Sequence, residues 1–239
     1  MHVAGTVGAA MAPTDSIDYF SRDHKLRSMA SRVAYRARVK IFDRFVDVMQ
    51  PGAADRIVDV GVTPDRELPD SNFFEQLYPH RDQITATSIE DASFLESDFP
   101  GVRFVRTDGA SLPFADGEFD IAFSSAVLEH VGDRDAQRAF VAELVRVSKR
   151  FFLTTPNRWF PVEVHTFLPL LHWLPQPAHQ RSLRALGKDF WAETDNLNLL
   201  SARTVAELFP AGSEVHVSRL RTAGATSNLL VWGSSPPGA

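Results

Sequence analysis

The chain of 239 residues contains no cysteine. That excludes disulfides, thiolate metal ligands and cysteine nucleophiles together, and it agrees with a cytoplasmic location. Long apolar runs are also missing. No stretch approaches the roughly eighteen apolar residues that a membrane helix needs, so no membrane span is expected. Nor is there an excess of positive charge, and a formal net charge of −5 argues against a nucleic-acid partner. The opening stretch, Met1 to Ala12, lacks both the basic start and the sustained apolar core of a signal peptide. Residues 1–14 read as a flexible tail. With no repeat and no linker in the remainder, residues 15–235 read as one domain of ordinary globular composition, 44% hydrophobic and 23% charged. The basic residues gather between Arg22 and Arg44, where Arg27, Arg32, Arg36, Arg38, Lys40 and Arg44 occur, a pattern expected for the wet face of a helix.

What is present is alternation. Short β-branched or aromatic runs take turns with helical patterns, which marks βαβ units and a parallel sheet. Residues 30–49 space Val33, Ile41, Phe45 and Val48 as a helix, stopped by Pro51-Gly52. Five strands are expected at Arg56–Gly61, Ile84–Ser88, Val102–Arg106, Asp120–Ser124 and Phe151–Thr154, with a helix over Arg134–Ser148 before the fifth. Residues 157–200 break the rhythm with Pro161, Pro169, Pro175 and Pro177 among Trp159, Phe160, Phe167, Trp173, Phe190 and Trp191. They read as an insertion. A short helix at Ala202–Leu208 and two closing strands, Val215–Leu220 and Leu229–Trp232, complete a doubly wound, Rossmann-like α/β domain.

Three markers fall at carboxyl ends of strands, where such sheets bind ligands. Asp59-Val60-Gly61 ends the first strand, and a glycine there admits close backbone approach. Asp108-Gly109-Ala110-Ser111-Leu112-Pro113-Phe114 follows the third; a carboxylate in such a turn can accept from an exocyclic amine, although an isolated copy is more simply an Asx turn. Phe119 to Val131 form the fourth strand and its exit, with small residues Ser124, Ser125 and Ala126 followed by Glu129-His130. Each alone has a bland explanation. In order, on one rim of one sheet, they do not.

With these motifs, the stretch from about Arg56 to Pro156 resembles the class I S-adenosylmethionine (SAM)-dependent methyltransferases of the type 11 family, most specifically in DGASLPFADGEFDIAFSSAVLEHV. The resemblance implies a seven-stranded, mainly parallel sheet with an antiparallel last strand and SAM as cofactor. It places Asp59 and Gly61 at the methionine end of SAM, Asp108 on the adenine amine with Gly109 and Ala110 beside the ring, and Ser125 and Ala126 beneath the sulfonium. The acidic residue expected on the ribose falls near Ser88, and Glu90 is chosen ahead of Asp91. The first loop departs from the family pattern D-x-G-x-G-x-G: it reads D-V-G-V-T-P-D, two glycines short, and Pro64 has no amide to donate. A cation is then expected to help hold the methionine carboxylate, with Arg32, Arg36 and Arg66 as candidates.

Methyl transfer to a hydroxyl of a small-molecule acceptor calls for a group that titrates near neutrality, and His130 is placed to be that base. The aromatic insertion 157–200 is expected to be a lid over the acceptor. His165, His172 and His179 recur every seven residues, but the prolines between them interrupt a helix, so no metal site is expected. Two alternatives stay open: a SAM-binding protein without catalysis, and a nicotinamide-dependent oxidoreductase, against which the lack of G-x-G-x-x-G after the first strand speaks. The identity of the acceptor and the oligomeric state are not expressed in these motifs.

Overall fold

The computed structural model describes residues 24–68 and 70–236, with side chains from residue 34 onward. The expected tail at 1–14 lies outside the described residues. Seven strands form one sheet: β1 Ile57–Val60, β2 Ile84–Ser88, β3 Arg103–Arg106, β4 Phe119–Ser125, β5 Ser148–Pro156, β6 Glu214–Thr222 and β7 Ala225–Ser234. Their order is β3-β2-β1-β4-β5-β7-β6. The first five run parallel, and β7 lies antiparallel to both β5 and β6. The chain reverses direction across the sheet between β1 and β4, which opens a crevice at their carboxyl ends.

Every residue of β1 and β2 is buried, as a parallel strand covered on both faces requires. The helices are α1 His24–Met49, α2 Phe73–Leu77, α3 Leu95–Asp98, α4 Arg134–Val147, α5 Gln176–Ala185 and α6 Ala202–Ala206. On one face, α4 buries Phe140, Val141, Leu144 and Val145 at helical spacing, in one cluster with Val58, Val60 and Phe151 of the sheet. Its start is fixed by Asp133, whose side chain accepts from the amides of Asp135 and Ala136. On the other face, Ile41, Phe45 and Met49 of α1 pack with Phe73 and Phe74 of α2 and Leu95 of α3 over Ile57, Ile121, Phe123 and Phe152.

The strand positions expected from sequence hold, with β1 and β3 slightly shorter than expected and β4, β5, β6 and β7 longer. β6 and β7 form a hairpin through Ala223-Gly224, both at positive φ, the conformation that tight hairpin turns use. The short helices α2 and α3 had no periodic signal to announce them. Within 157–200, Pro177 stands in the first turn of α5, where its missing amide costs nothing, so the prolines there start a helix as well as break one. The rest of that stretch is short 3-10 turns at Leu171–Trp173 and Phe190–Ala192 joined by loops.

Phe45 is fully buried and meets the rings of Phe74, Phe123 and Phe152 edge-on at 5.1, 5.4 and 5.5 Å. Truncating Phe45→Ala is expected to cost about 3–5 kcal/mol of stability, from the lost transfer energy and the cavity left between α1 and the sheet. Denaturant unfolding checks this, and a loss below about 1 kcal/mol would show that α1 is not docked through this ring.

Candidate active site

The crevice begins at Gly61. Its φ is +99°, and a Cβ there would lie 2.3 Å from a methyl of Val127, so β1 and the exit of β4 approach as closely as they do only because residue 61 has no side chain. The amides of Gly61 and Val62 both donate to the carbonyl of Thr87. The loop beyond is closed on itself. Asn72 Oδ1 accepts from the amide of Thr63 and its Nδ2 donates to the Thr63 carbonyl; Thr63 Oγ1 accepts from the amide of Asp65; Asp65 Oδ1 accepts from those of Glu67 and Leu68. In a family-type loop, glycine-rich backbone amides face the ligand. Here most of them are already engaged, and Pro64 has none.

An acid pair and an arginine stand near this loop. Asp59 is 6% exposed and Glu75, on α2, is fully buried. Their carboxyls lie side by side, and both Glu75 oxygens lack a well-formed hydrogen bond. Burial first, and then the neighbouring Glu75 carboxyl, push Asp59 well above its usual range. Burial raises Glu75 to about 7. The second group is Arg38. Its guanidinium donates to Ser125 Oγ at 2.9 Å at the carboxyl end of β4 and sits over the Phe73 ring at 5.4 Å. Its side chain is half-buried, and among the described residues no carboxylate lies within salt-bridge distance of it. Burial lowers its pKa, while Asp70 and Glu129 act in the opposite sense from further away.

Arg38 corrects the expected solvated face of α1. Of the expected cations, Arg36 is exposed, Arg66 is exposed and paired with Asp98 at 2.8 Å, and the side chain of Arg32 lies outside the described residues. Arg38 differs because it stands one turn from Ile41 and two turns from Phe45, on the stripe that faces the sheet.

Along β2 and β3 the rim is more open. Glu90 is half-buried just past β2, and its amide contacts Ser88 Oγ at 3.3 Å. Asp91 instead caps its own turn, accepting from the amide of Ser93. Ile89 between them and the strand is 68% exposed, an apolar surface presented beside Glu90. Asp108 is exposed, and one of its oxygens accepts from the amide of Ala110 at 2.9 Å, so the Asx turn is real. A Cβ on Gly109 would lie 2.6 Å from the Phe140 ring, which seats this turn directly on α4. Ser125 also bonds Thr154 Oγ1 at 2.9 Å, and Ala126 takes a positive φ of 59°, turning the chain sharply out of β4.

That turn delivers Glu129 and His130. Glu129 is fully buried; its Oε2 accepts from Thr155 Oγ1 at 2.9 Å and its Oε1 has no hydrogen bond. His130 Nδ1 faces the Asn196 carbonyl at 2.7 Å, and burial together with the adjacent His165 lowers its pKa to about 3. The ring of His165 stands edge-on to it at 4.7 Å, with Trp191 at 5.0 Å from His165. His165 Nδ1 lies 2.6 Å from Glu163 Oε1; burial opposes its protonation, but the Glu163 carboxylate outweighs that and raises it. The three evenly spaced histidines therefore part company: His172 and His179 neighbour each other at 6.5 Å, while His165 joins His130. Sequence reasoning passed over Glu75, Ile89 and Glu163, read Arg38 only as part of a solvated helix face, and weighed His165 only together with His172 and His179. Only Glu163-Val164-His165, an acid two residues before a histidine, offered any signal.

Residues 72–150 match the family model described as a methyltransferase domain, Methyltransf_11. The match starts at Asn72, beyond the altered loop. An uncharacterized methyltransferase of Mycobacterium sp. (strain KMS) is 61% identical over 33 residues, which is 14% of this chain and only 13% of that relative's length. Solved structures share the fold. A possible histamine N-methyltransferase from Thermotoga maritima aligns with a TM-score of 0.55 at 16% identity, covering 89% of this chain and 94% of its own. The 1,6-didemethyltoxoflavin-N1-methyltransferase of Burkholderia thailandensis, bound to its substrate and S-adenosylhomocysteine, aligns with a TM-score of 0.55 at 16% identity, covering 90% and 82%. Family match and fold agree with the resemblance read from the sequence: residues 72–150 match a methyltransferase domain, and the chain shares the fold of solved methyltransferases.

The buried acid pair makes stability pH-dependent. A carboxyl whose pKa is raised on folding holds its proton more tightly in the folded state. That stabilises the fold at low pH and is lost as pH climbs from about 4.5 toward 7, the window set by Glu75. Glu75→Gln is expected to flatten this fall, removing roughly 3 kcal/mol of it. Parallel stability–pH curves for the variant and wild type, measured by chemical denaturation, would contradict the assignment.

Proposed function

We propose that the protein transfers a methyl group from SAM to a hydroxyl of a small-molecule acceptor. The observation that carries this is Arg38. A guanidinium held half-buried, with no carboxylate partner among the described residues, is a place where an anion can complete the charge. At the end of β1 lies a buried acid pair that holds its protons tightly, and a cation next to it would favour their release. A cationic group at the exit of β4 and an acid pair at the end of β1 match the two ends of an amino-acid zwitterion, and the methionyl part of SAM is one.

The residues present fit the cofactor. Arg38 takes the carboxylate in place of the missing glycine amides, and Asp59, backed by Glu75, faces the ammonium. Glu90 is in reach of ribose hydroxyls. Ile89 offers an apolar face for adenine, and Asp108 keeps one oxygen for its amine beside Gly109 and Ala110. Ser125 and Ala126 form the small-residue floor. Bound SAM supplies a methyl group activated on a sulfonium, and the protein's share is positioning and handling of the acceptor's proton. That second task falls to the imidazoles gathered around His130.

The insertion 157–200 is assigned to the acceptor as a lid. In support, it contributes His165 and Trp191 to the wall beside His130, and the Asn196 carbonyl holds that ring. It also presents Trp159, Phe167, Leu170 and Trp173 to solvent.

Calorimetric titration with SAM tests the cofactor, and transfer of a labelled methyl from SAM to a panel of hydroxylated small molecules tests the reaction. Arg38→Met is expected to weaken SAM binding by about 1.5–3 kcal/mol, the worth of a charged hydrogen bond, without loss of folding stability. Unchanged affinity would remove Arg38 from the site. Trp191→Ala is expected to lower methyl transfer while SAM affinity stays within about 0.5 kcal/mol of wild type. A variant that loses SAM binding while folded would assign the insertion to the cofactor instead.

A further inference from the structure

We propose that Glu129, His130 and His165 form a binding site for one divalent transition-metal ion. Each residue offers a ligand atom, and the three atoms lie within 4.8 Å of one another. The donors come from two separate segments, the exit of β4 and the insertion after β5, which brings them together only in the folded chain.

Three features go beyond proximity. First, Glu129 is fully buried, and Thr155 engages only one of its oxygens. The other, Oε1, is without a hydrogen bond and lies 3.9 Å from His130 Nε2. A buried carboxylate oxygen left in this state is costly unless something cationic meets it. Second, His130 Nδ1 faces a backbone carbonyl, which can only accept. The proton is therefore on Nδ1, and the Nε2 lone pair points toward Glu129. Third, His165 Nδ1 is held in the same way by the Glu163 carboxylate at 2.6 Å. Glu163 is itself fixed by the amides of His165 and Thr166. Anchoring an imidazole through one nitrogen by a carbonyl or a carboxylate is how metal sites orient histidine ligands.

Two nitrogens and one carboxylate oxygen suit zinc, iron, cobalt, nickel or manganese better than magnesium or calcium, which prefer all-oxygen ligands. Bonds of about 2.0–2.2 Å put neighbouring ligand atoms roughly 3–3.5 Å apart, so the 3.9 Å gap closes with a shift of under an ångström. Arg38 acts on Glu129 and opposes a cation there, whereas Glu163 adds a second negative charge behind His165. Three protein ligands leave coordination positions for an acceptor hydroxyl, whose pKa the ion would lower. With the ion in place the two imidazoles act as ligands, and the ion supplies the acidity otherwise asked of a side-chain base. This consequence rests on the methyltransferase reading; the metal site itself does not.

The test is metal binding by the full chain after chelator treatment. Zinc is titrated by calorimetry and counted by elemental analysis, and cobalt is followed by its visible absorption. One ion per chain is expected. Glu129→Gln and His165→Gln, each checked for native circular dichroism, should weaken binding by about tenfold or more, while His172→Gln should not. Absence of stoichiometric zinc or cobalt binding by the wild-type chain overturns the proposal. So does unchanged binding by the folded Glu129→Gln and His165→Gln variants. SAM affinity, measured separately on the same samples, tells failure of the metal site apart from failure of the methyltransferase reading.

Discussion

Phe45 meets rings from three different elements, Phe74 of α2, Phe123 of β4 and Phe152 of β5. Edge-on aromatic contacts of this kind are directional, so α1 can neither roll nor slide without breaking several at once. Everything at the mouth of the crevice follows from that docking. Arg38 lies two turns before Phe45 on the same face, and the fixed helix carries its guanidinium over Phe73 to Ser125. A helix that looks basic and amphipathic is in this way also the element that brings a charge into the interior.

That charge balances a deficiency elsewhere. The loop after β1 spends its amides on Thr63, Asp65 and Asn72, which makes it compact without glycine. The same hydrogen bonds leave little backbone to cradle an anion. On the proposed reading, the half-buried arginine of α1 and the buried acid pair of β1 and α2 are an alternative way to hold a zwitterion. Local conflicts of this sort, where burial and charge disagree, are expected at functional sites.

The far wall of the crevice is assembled differently. Asn198 donates its amide to the Glu129 carbonyl, the Asn196 carbonyl holds His130, and Gln137 of α4 ties the Leu128 and Asn198 carbonyls together. The end of the insertion is thus bound to the exit of β4 by one backbone pair and by the side chains of His130 and Gln137 reaching backbone carbonyls. On that fixed support the Glu163–His165 pair is presented to His130.

The sequence by itself determined the sheet and its order of elements. Alternating buried runs, Gly61, the Asp108-Gly109 turn and the small residues at the exit of β4 are local signals, because periodicity and turn chemistry act over a few residues. Only the tertiary structure decided which charges enter the interior. Arg38 is one of several arginines on a basic helix, and nothing nearby in sequence separates it from Arg36; the difference is the rotation of α1 fixed by Phe45. Glu75 has no partner within its own segment, and Asp59 reaches it across the core. His130 and His165 are thirty-five positions apart and meet because β5 runs beside β4 and returns the chain to the same end of the sheet. Contacts between distant segments depend on how whole elements pack, and a local pattern of residues does not carry that information.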